Sequence, residues 1–196
     1  MATGYGLQLV GRLDGKTPSI NAYNVPSTDS TALFIGDVVK LVDTTNAMDA
    51  TGKFINVTRA VAGDVTKLGV VVGFEPNPAQ LLVANYRAAS TQRTVLVCDD
   101  PEAVYSVQED AVGGSVAQAD IAAMKNADII VASGSTVTGK SGTMLDSNTA
   151  TASAADLKII GVVQEPNNAG AQSGGAKLLV RILNAESSLV AADSQI

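Results

Sequence analysis

Short apolar runs rich in Val, Ile and Leu recur along the chain between clusters of Gly, Asn, Asp, Pro and Thr, a spacing that predicts strands joined by turns. Ala32–Ile35 and Val38–Val42 read as strands, with Gly36-Asp37 as the tight corner between them. Phe54–Thr58 alternates as a half-buried strand does. Lys67–Phe74 runs on until Pro76 and Pro78, which give no N–H to a sheet ladder. Arg93–Cys98 and Ala103–Gln108 flank the turn Asp99-Asp100-Pro101, and Ala176–Leu183 makes a strong last strand. Gln118–Ala127 is the best helical pattern, rich in Ala, with Ile121 and Met124 spaced to share a face. Leu81–Arg87 is expected as a short helical turn.

The pattern also repeats. Val39–Asn77 and Asp128–Asn167 share one layout of apolar run, polar loop, second apolar run and close. Val39–Asp43 stands where Ile129–Val131 stands, Leu68–Val72 answers Ile160–Val163, and Glu75-Pro76-Asn77 answers Glu165-Pro166-Asn167. Two related β units are expected, at 31–117 and at 118–183, the second including the linking helix and a Gly-rich loop at Ala169–Gly175. An N-terminal arm at 1–30 and a loose tail at 184–196 flank them. Met1–Ser30 sets Leu7-Gln-Leu-Val10 among Gly, Asn, Pro18 and Pro26, which is turn chemistry with little periodicity. It is expected either to be poorly ordered or to order as an extended arm against a neighbouring subunit.

Composition narrows the architecture. Hydrophobic residues make up 46% of the 196-residue chain but aromatics only 4%, so the core must be built from thin layers of Val, Ala, Ile and Leu. Such layers suit sheets packed on sheets, and the fold class expected is mainly β, a sandwich or barrel of short antiparallel strands with one short helix. The net charge is −6 with no run of Lys or Arg, so nucleic acid is not an expected partner. No segment has the length and hydropathy of a membrane span, and none at the start reads as a signal peptide. A soluble protein made in a cytoplasm, with no membrane partner, is the expectation.

The absence of histidine bears most on chemistry, because it removes Ser-His and Cys-His catalysis and most zinc sites together. Cys98, the single cysteine, lies inside an apolar strand and reads as a small buried hydrophobe rather than a nucleophile. Gly134–Ser141 matches the phosphate-binding pattern GxxxxGK[ST], with Lys140 and Ser141 in the last two positions and Asp99 as a candidate second carboxylate. A phosphate loop needs a helix starting at its Lys-Ser, and Gly142-Thr-Met-Leu-Asp-Ser-Asn is a poor helix, so a hairpin is expected there. Asp99, Asp100 and Glu102, and separately Glu109 with Asp110, could offer oxygens to a hard cation, but without the spacing of a known calcium loop they read as solvated turns. No catalytic residue, metal or cofactor is assigned.

A likeness rests on the general run of residues in Phe34–Val39, Val57–Ala60 with Ala62-Gly63, Gly69–Asn77, Tyr86–Ser90, Val95–Val97 with Asp99–Pro101, Gln108–Asp110, Ser133–Gly139, Leu145–Ser147 and Lys177–Ile182. In these the chain resembles the small structural proteins that decorate or cement the heads of tailed bacteriophages. The resemblance implies a β-rich protein without enzymatic activity, a trimer or a dimer, on the capsid exterior of a virion assembled in a host cytoplasm. It would bridge neighbouring major capsid protein subunits. It carries no residue-level binding motif, so the contact residues stay unknown, with the arm Met1–Ser30 as the candidate. Two other readings are a head-fibre base or a receptor- or glycan-binding module, and a nucleotide hydrolase using Lys140, Ser141 and Asp99. For the glycan reading, Tyr5, Tyr23, Phe74, Tyr86 and Tyr105 look too scattered in sequence.

Overall fold

A computed structural model describes residues 4–42, 47–76, 85–112, 116–150, 155–166, 168 and 175–183. Fourteen strands and one short helix are found among them: β1 Gln8–Arg12, β2 Ile20–Val25, β3 Leu33–Phe34, β4 Val38–Leu41, β5 Val57–Arg59, β6 Gly69–Phe74, β7 Tyr86–Arg87, β8 Arg93–Cys98, β9 Ala103–Gln108, α1 Gln118–Ala122, β10 Asn126–Ala127, β11 Ile129–Ile130, β12 Met144–Leu145, β13 Leu157–Val162 and β14 Lys177–Ile182. The expected tail from Asn184, most of the Gly-rich loop from Ala169, and residues 81–84 of the expected helical turn lie outside the described residues. The end of that turn, Tyr86–Arg87, is a strand paired with β3.

Two five-stranded antiparallel sheets carry the fold, in the orders β1-β9-β14-β13-β10 and β2-β8-β6-β4-β5. They face each other across one apolar cluster. Tyr105, Val107, Leu157, Ile159, Leu178 and Val180 of the first sheet meet Val38, Val70 and Cys98 of the second. The architecture is a β-sandwich. Neither sheet closes into a barrel, although Asn24 of edge strand β2 and Asn56, just ahead of edge strand β5, form a single parallel bridge.

The sheets differ in how they use alternation. Along β14 the pattern is strict, with Leu178, Val180 and Ile182 buried and Lys177, Leu179 and Arg181 partly exposed on the other face. The second sheet is apolar on both faces. Val38, Val70 and Cys98 point into the shared cluster, while their neighbours Val39, Val71 and Val97 join Tyr23, Val25, Leu33, Val57, Leu68 and Val95 in a second cluster. Each such side chain taken fully out of water contributes about 1.5–3 kcal/mol.

The repeat seen in sequence has a counterpart in pairing. The ladder β2-β8-β6-β4 is matched by β9-β14-β13-β10, antiparallel throughout. Equivalent strands of the two sheets each carry a register shift, at Val71/Gly73 in β6 and at Ile159/Gly161 in β13, and the first sheet has a further one at Leu9/Gly11 in β1. There the skipped Val72 and Ile160 each precede a glycine. The equivalence of Val39–Asp43 with Ile129–Val131 needs correction, because β4 pairs β6 whereas β13 pairs β10, and β11 turns away to β12.

Three further expectations change. Met1–Ser30 is not an arm in its described part: β1 is an edge of the first sheet, β2 an edge of the second, and Leu7, Tyr23 and Val25 are core. The boundary at 117 does not separate the units either, since β9 pairs with β14. The helix stops at Ala122 because Met124 takes a left-handed φ of 48°. Ile121 packs on the core while Met124 stays exposed, so the two do not share a buried face.

Buried polar side chains fix the connections. The Arg87 guanidinium is wholly buried and donates to the carbonyls of Pro26 (2.7 Å), Asp29 (2.8 Å), Thr31 (2.5 Å) and Thr91 (2.6 Å). Burial lowers its pKa, which the Asp29 carboxylate opposes. Replacing Arg87 by Met keeps the aliphatic bulk but leaves those carbonyls unpaired. The expected loss is about 3 kcal/mol, read as a lower urea midpoint at unchanged m-value, and Arg87→Lys should recover only part of it because an ammonium lacks the planar fork.

Candidate functional site

Gly134–Ser141 lies between β11 and β12, which pair Ile129 with Leu145 and Ile130 with Met144. No helix follows it; the chain goes from Gly142 and Thr143 into β12 and then a 3-10 turn at Ser147–Thr149. Five of the backbone N–H groups that would wrap a phosphate are used inside the protein. Ser135 donates to Lys140 O, Gly139 to Ser135 O and Ser141 to Ile35 O, while Thr138 and Lys140 donate to the hydroxyls of Ser135 and Thr138. The glycines have packing reasons as well: a Cβ at Gly134 would sit 2.3 Å from the Phe34 ring, and one at Gly139 (φ 72°) 2.4 Å from Asn85. The hairpin expectation holds: the loop lacks the helix of a phosphate cradle, and five of its amides are already bonded within the protein.

Ser141 is tied to a carboxylate that sequence reasoning treated only as a corner residue. Its Oγ donates to Asp37 Oδ1 at 2.5 Å across 104 positions, and Thr143 Oγ1 donates to the same oxygen at 3.3 Å. Asp37 Oδ2 accepts from Phe34 N–H at 2.8 Å. Gly4–Leu7 threads through this junction, with Leu7 N–H donating to Gly36 O and Gly6 in contact distance of Gly36 and Ser141. Burial pushes the Asp37 carboxyl above its ordinary pKa, and Ser141, Phe34 N–H, Arg59 and Thr143 pull part of the way back. Beside the junction is a cleft of ≈ 350 Å³, lined by Gly4, Tyr5, Gly134, Thr138, Lys140 and Ser141 among others.

The other carboxylates are also structural anchors. Asp99 accepts from Tyr23 Oη at 2.6 Å and Asn21 Nδ2 at 2.8 Å, whereas the carboxylate that Ser141 binds is Asp37. Asp100 takes Arg12 Nε at 3.1 Å, Ser19 N–H at 3.3 Å and Glu102 N–H at 2.9 Å, and Glu102 lies 3.7 Å from Arg181. Glu109 is wholly buried and accepts from Val116 N–H (2.7 Å) and Ala176 N–H (3.1 Å), while Asp110 holds the Ser147 hydroxyl at 2.8 Å. Among the described residues no three Asp, Glu, Cys or His side chains converge as a metal ligand set. Cys98 is buried, and burial raises its thiol pKa.

The aromatics are dispersed: Tyr23 and Tyr105 in the core, Phe34 stacked on Tyr86 at 5.3 Å, and Phe74 under the Arg93 guanidinium. What reaches solvent instead is aliphatic. Val137 (88% exposed) tips the 131–143 hairpin, and Val65 (83%) tips a turn that Asp64 holds by accepting from Lys40 and Val61 N–H. Val10 (59%), Leu13 (49%) and Ile20 (46%) lie along the path from edge strand β1 to edge strand β2. Arg12 and Ser19 both engage Asp100 and so hold the two ends of that path together. No family model, no curated protein and no solved structure matches the chain.

The Asp37 junction is testable through pH. Because the folded pKa lies above the unfolded one, the native state binds more protons between the two values, and this contribution to stability is lost as pH rises through the folded pKa. Asp37→Asn has no such titration, so its stability relative to the parent should improve with rising pH across that window in urea melts. Asp37→Ala strands three buried donors and should cost about 2–4 kcal/mol throughout.

Proposed function

We propose that the protein is a structural interaction protein that binds the outside of a tailed-phage head and stabilises it by bridging major capsid protein subunits. The observation that supports this reading best is the exposed aliphatic path Val10–Leu13–Ile20. It runs along the joined edges of two sheets whose polar side chains are engaged in fastening loops and strands. A rigid edge that presents aliphatic side chains suits docking against another protein, since little ordering entropy is lost on binding. Binding only the assembled shell stabilises it by mass action, and a homo-oligomer, trimer or dimer, gains avidity by engaging several subunits at once.

Deleting Met1–Ser30 is not a clean test, because it removes β1, β2 and the core side chains Leu7, Tyr23 and Val25. Surface substitution is. Light scattering on the purified chain is expected to give an oligomer, and cosedimentation with purified empty phage heads is expected to pellet it. The triple variant Val10→Ser/Leu13→Ser/Ile20→Ser should keep the urea midpoint and lower head binding at least about tenfold, the scale of a single lost hot spot. A monomer that stays in the supernatant, or a triple variant that pellets like the parent, counts against the proposal.

A further inference from the structure

Lys67 and Asp156 form a contact between the two sheets. Lys67 stands just ahead of β6 and Asp156 just ahead of β13, in opposite sheets. Nζ lies 2.6 Å from Asp156 Oδ1, with the side chains 2% and 3% exposed. Each partner is also oriented from its far side: Nζ donates to the Asp64 carbonyl at 2.7 Å, and Asp156 Oδ2 accepts from Ile129 N–H at 3.1 Å.

The geometry points to an intramolecular isopeptide bond between Lys67 Nζ and Asp156 Cγ, a covalent staple across the sandwich. One ammonium proton passes to Oδ1 within the contact, leaving a neutral amine and a neutral carboxyl. The Nζ lone pair then attacks Cγ, and the charge that develops on Oδ2 faces the Ile129 N–H already bonded to it. A second proton moves from nitrogen to Oδ1, the Cγ–Oδ1 bond breaks, and Oδ1 leaves as water while Oδ2 remains the amide oxygen. The third hydrogen stays on the amide nitrogen; nothing is oxidised or reduced.

Two physical terms favour the step. Holding amine and carboxyl in contact corresponds to effective molarities of roughly 10⁵–10⁸ M for well-oriented groups. Condensation also removes two charges from a site where each is costly to keep out of water. With Cys98 as its single cysteine, the chain has no internal disulfide to serve the same purpose. The bond is independent of the capsid reading, and its test is separate.

The test is the intact mass of the full-length chain, purified folded and then denatured, with peptide mapping after proteolysis. The expected mass is one water lighter than the sequence, with the peptides carrying Lys67 and Asp156 recovered as one linked species. Lys67→Arg keeps a cation but cannot condense, so it should show its full sequence mass and melt about 10 °C lower, the scale of a long-loop cross-link. Asp156→Asn should lose ammonia and give the same linked product. A wild-type mass equal to the sequence, with the two peptides recovered separately, overturns the proposal whether or not either variant folds.

Discussion

The second sheet must be dry on both faces, and much of the remaining structure follows from that constraint. Its strands carry β-branched residues at consecutive positions, as in Val38-Val39 and Val70-Val71, so one set feeds the cluster shared with the first sheet and the other needs its own cover. Strand β3 supplies part of that cover through Leu33, and the sheet curls until Asn24 of β2 meets Asn56, just ahead of β5, and their side chains bond at 2.6 Å. A sheet wrapped this way leaves its connections little water. Their polar groups are satisfied from within, by Arg87 for the turns around it and by Asp37 for the corner and the hairpin.

Few aromatics make the layers thin, and glycine permits the closest approaches. Gly6 and Gly36 cross beside Ser141, both with left-handed φ, and a Cβ on either would lie within 3 Å of the other's backbone. The same economy of space gives the glycines of the 131–143 hairpin their packing role. A motif that spells a phosphate loop is here a tight turn against Phe34 and Asn85.

The two halves of the chain use one pairing scheme for different surroundings. Across the equivalent register shifts Leu96 corresponds to Leu179 and Val97 to Val180, but Cys98, buried in β8, corresponds to the half-open Arg181 in β14. The units are not independent bodies. The turn Asp99–Glu102 passes from β8 in one sheet to β9 in the other, and β1 adds to β9 from outside the repeated scheme.

Local pattern was enough to place β8 and β9 to the residue, and β4, β6 and β14 nearly so, because a short run rich in apolar, β-branched residues between turn residues leaves a strand as the one economical reading. It also gave the fold class, the presence of a repeat, the burial of Cys98 and the hairpin at Gly134–Gly142. It misread Met1–Ser30, since β1 and β2 carry polar residues such as Gln8, Asn21 and Asn24 and gain their partners from strands about 70–100 positions away. It also passed over Asp37, which looks like any turn aspartate until a serine 104 residues later arrives beside it. Periodicity reports which side of a strand is dry; which distant polar group lies opposite is decided only when the sheets pack, because burial creates the need for that partner and sequence distance does not encode it.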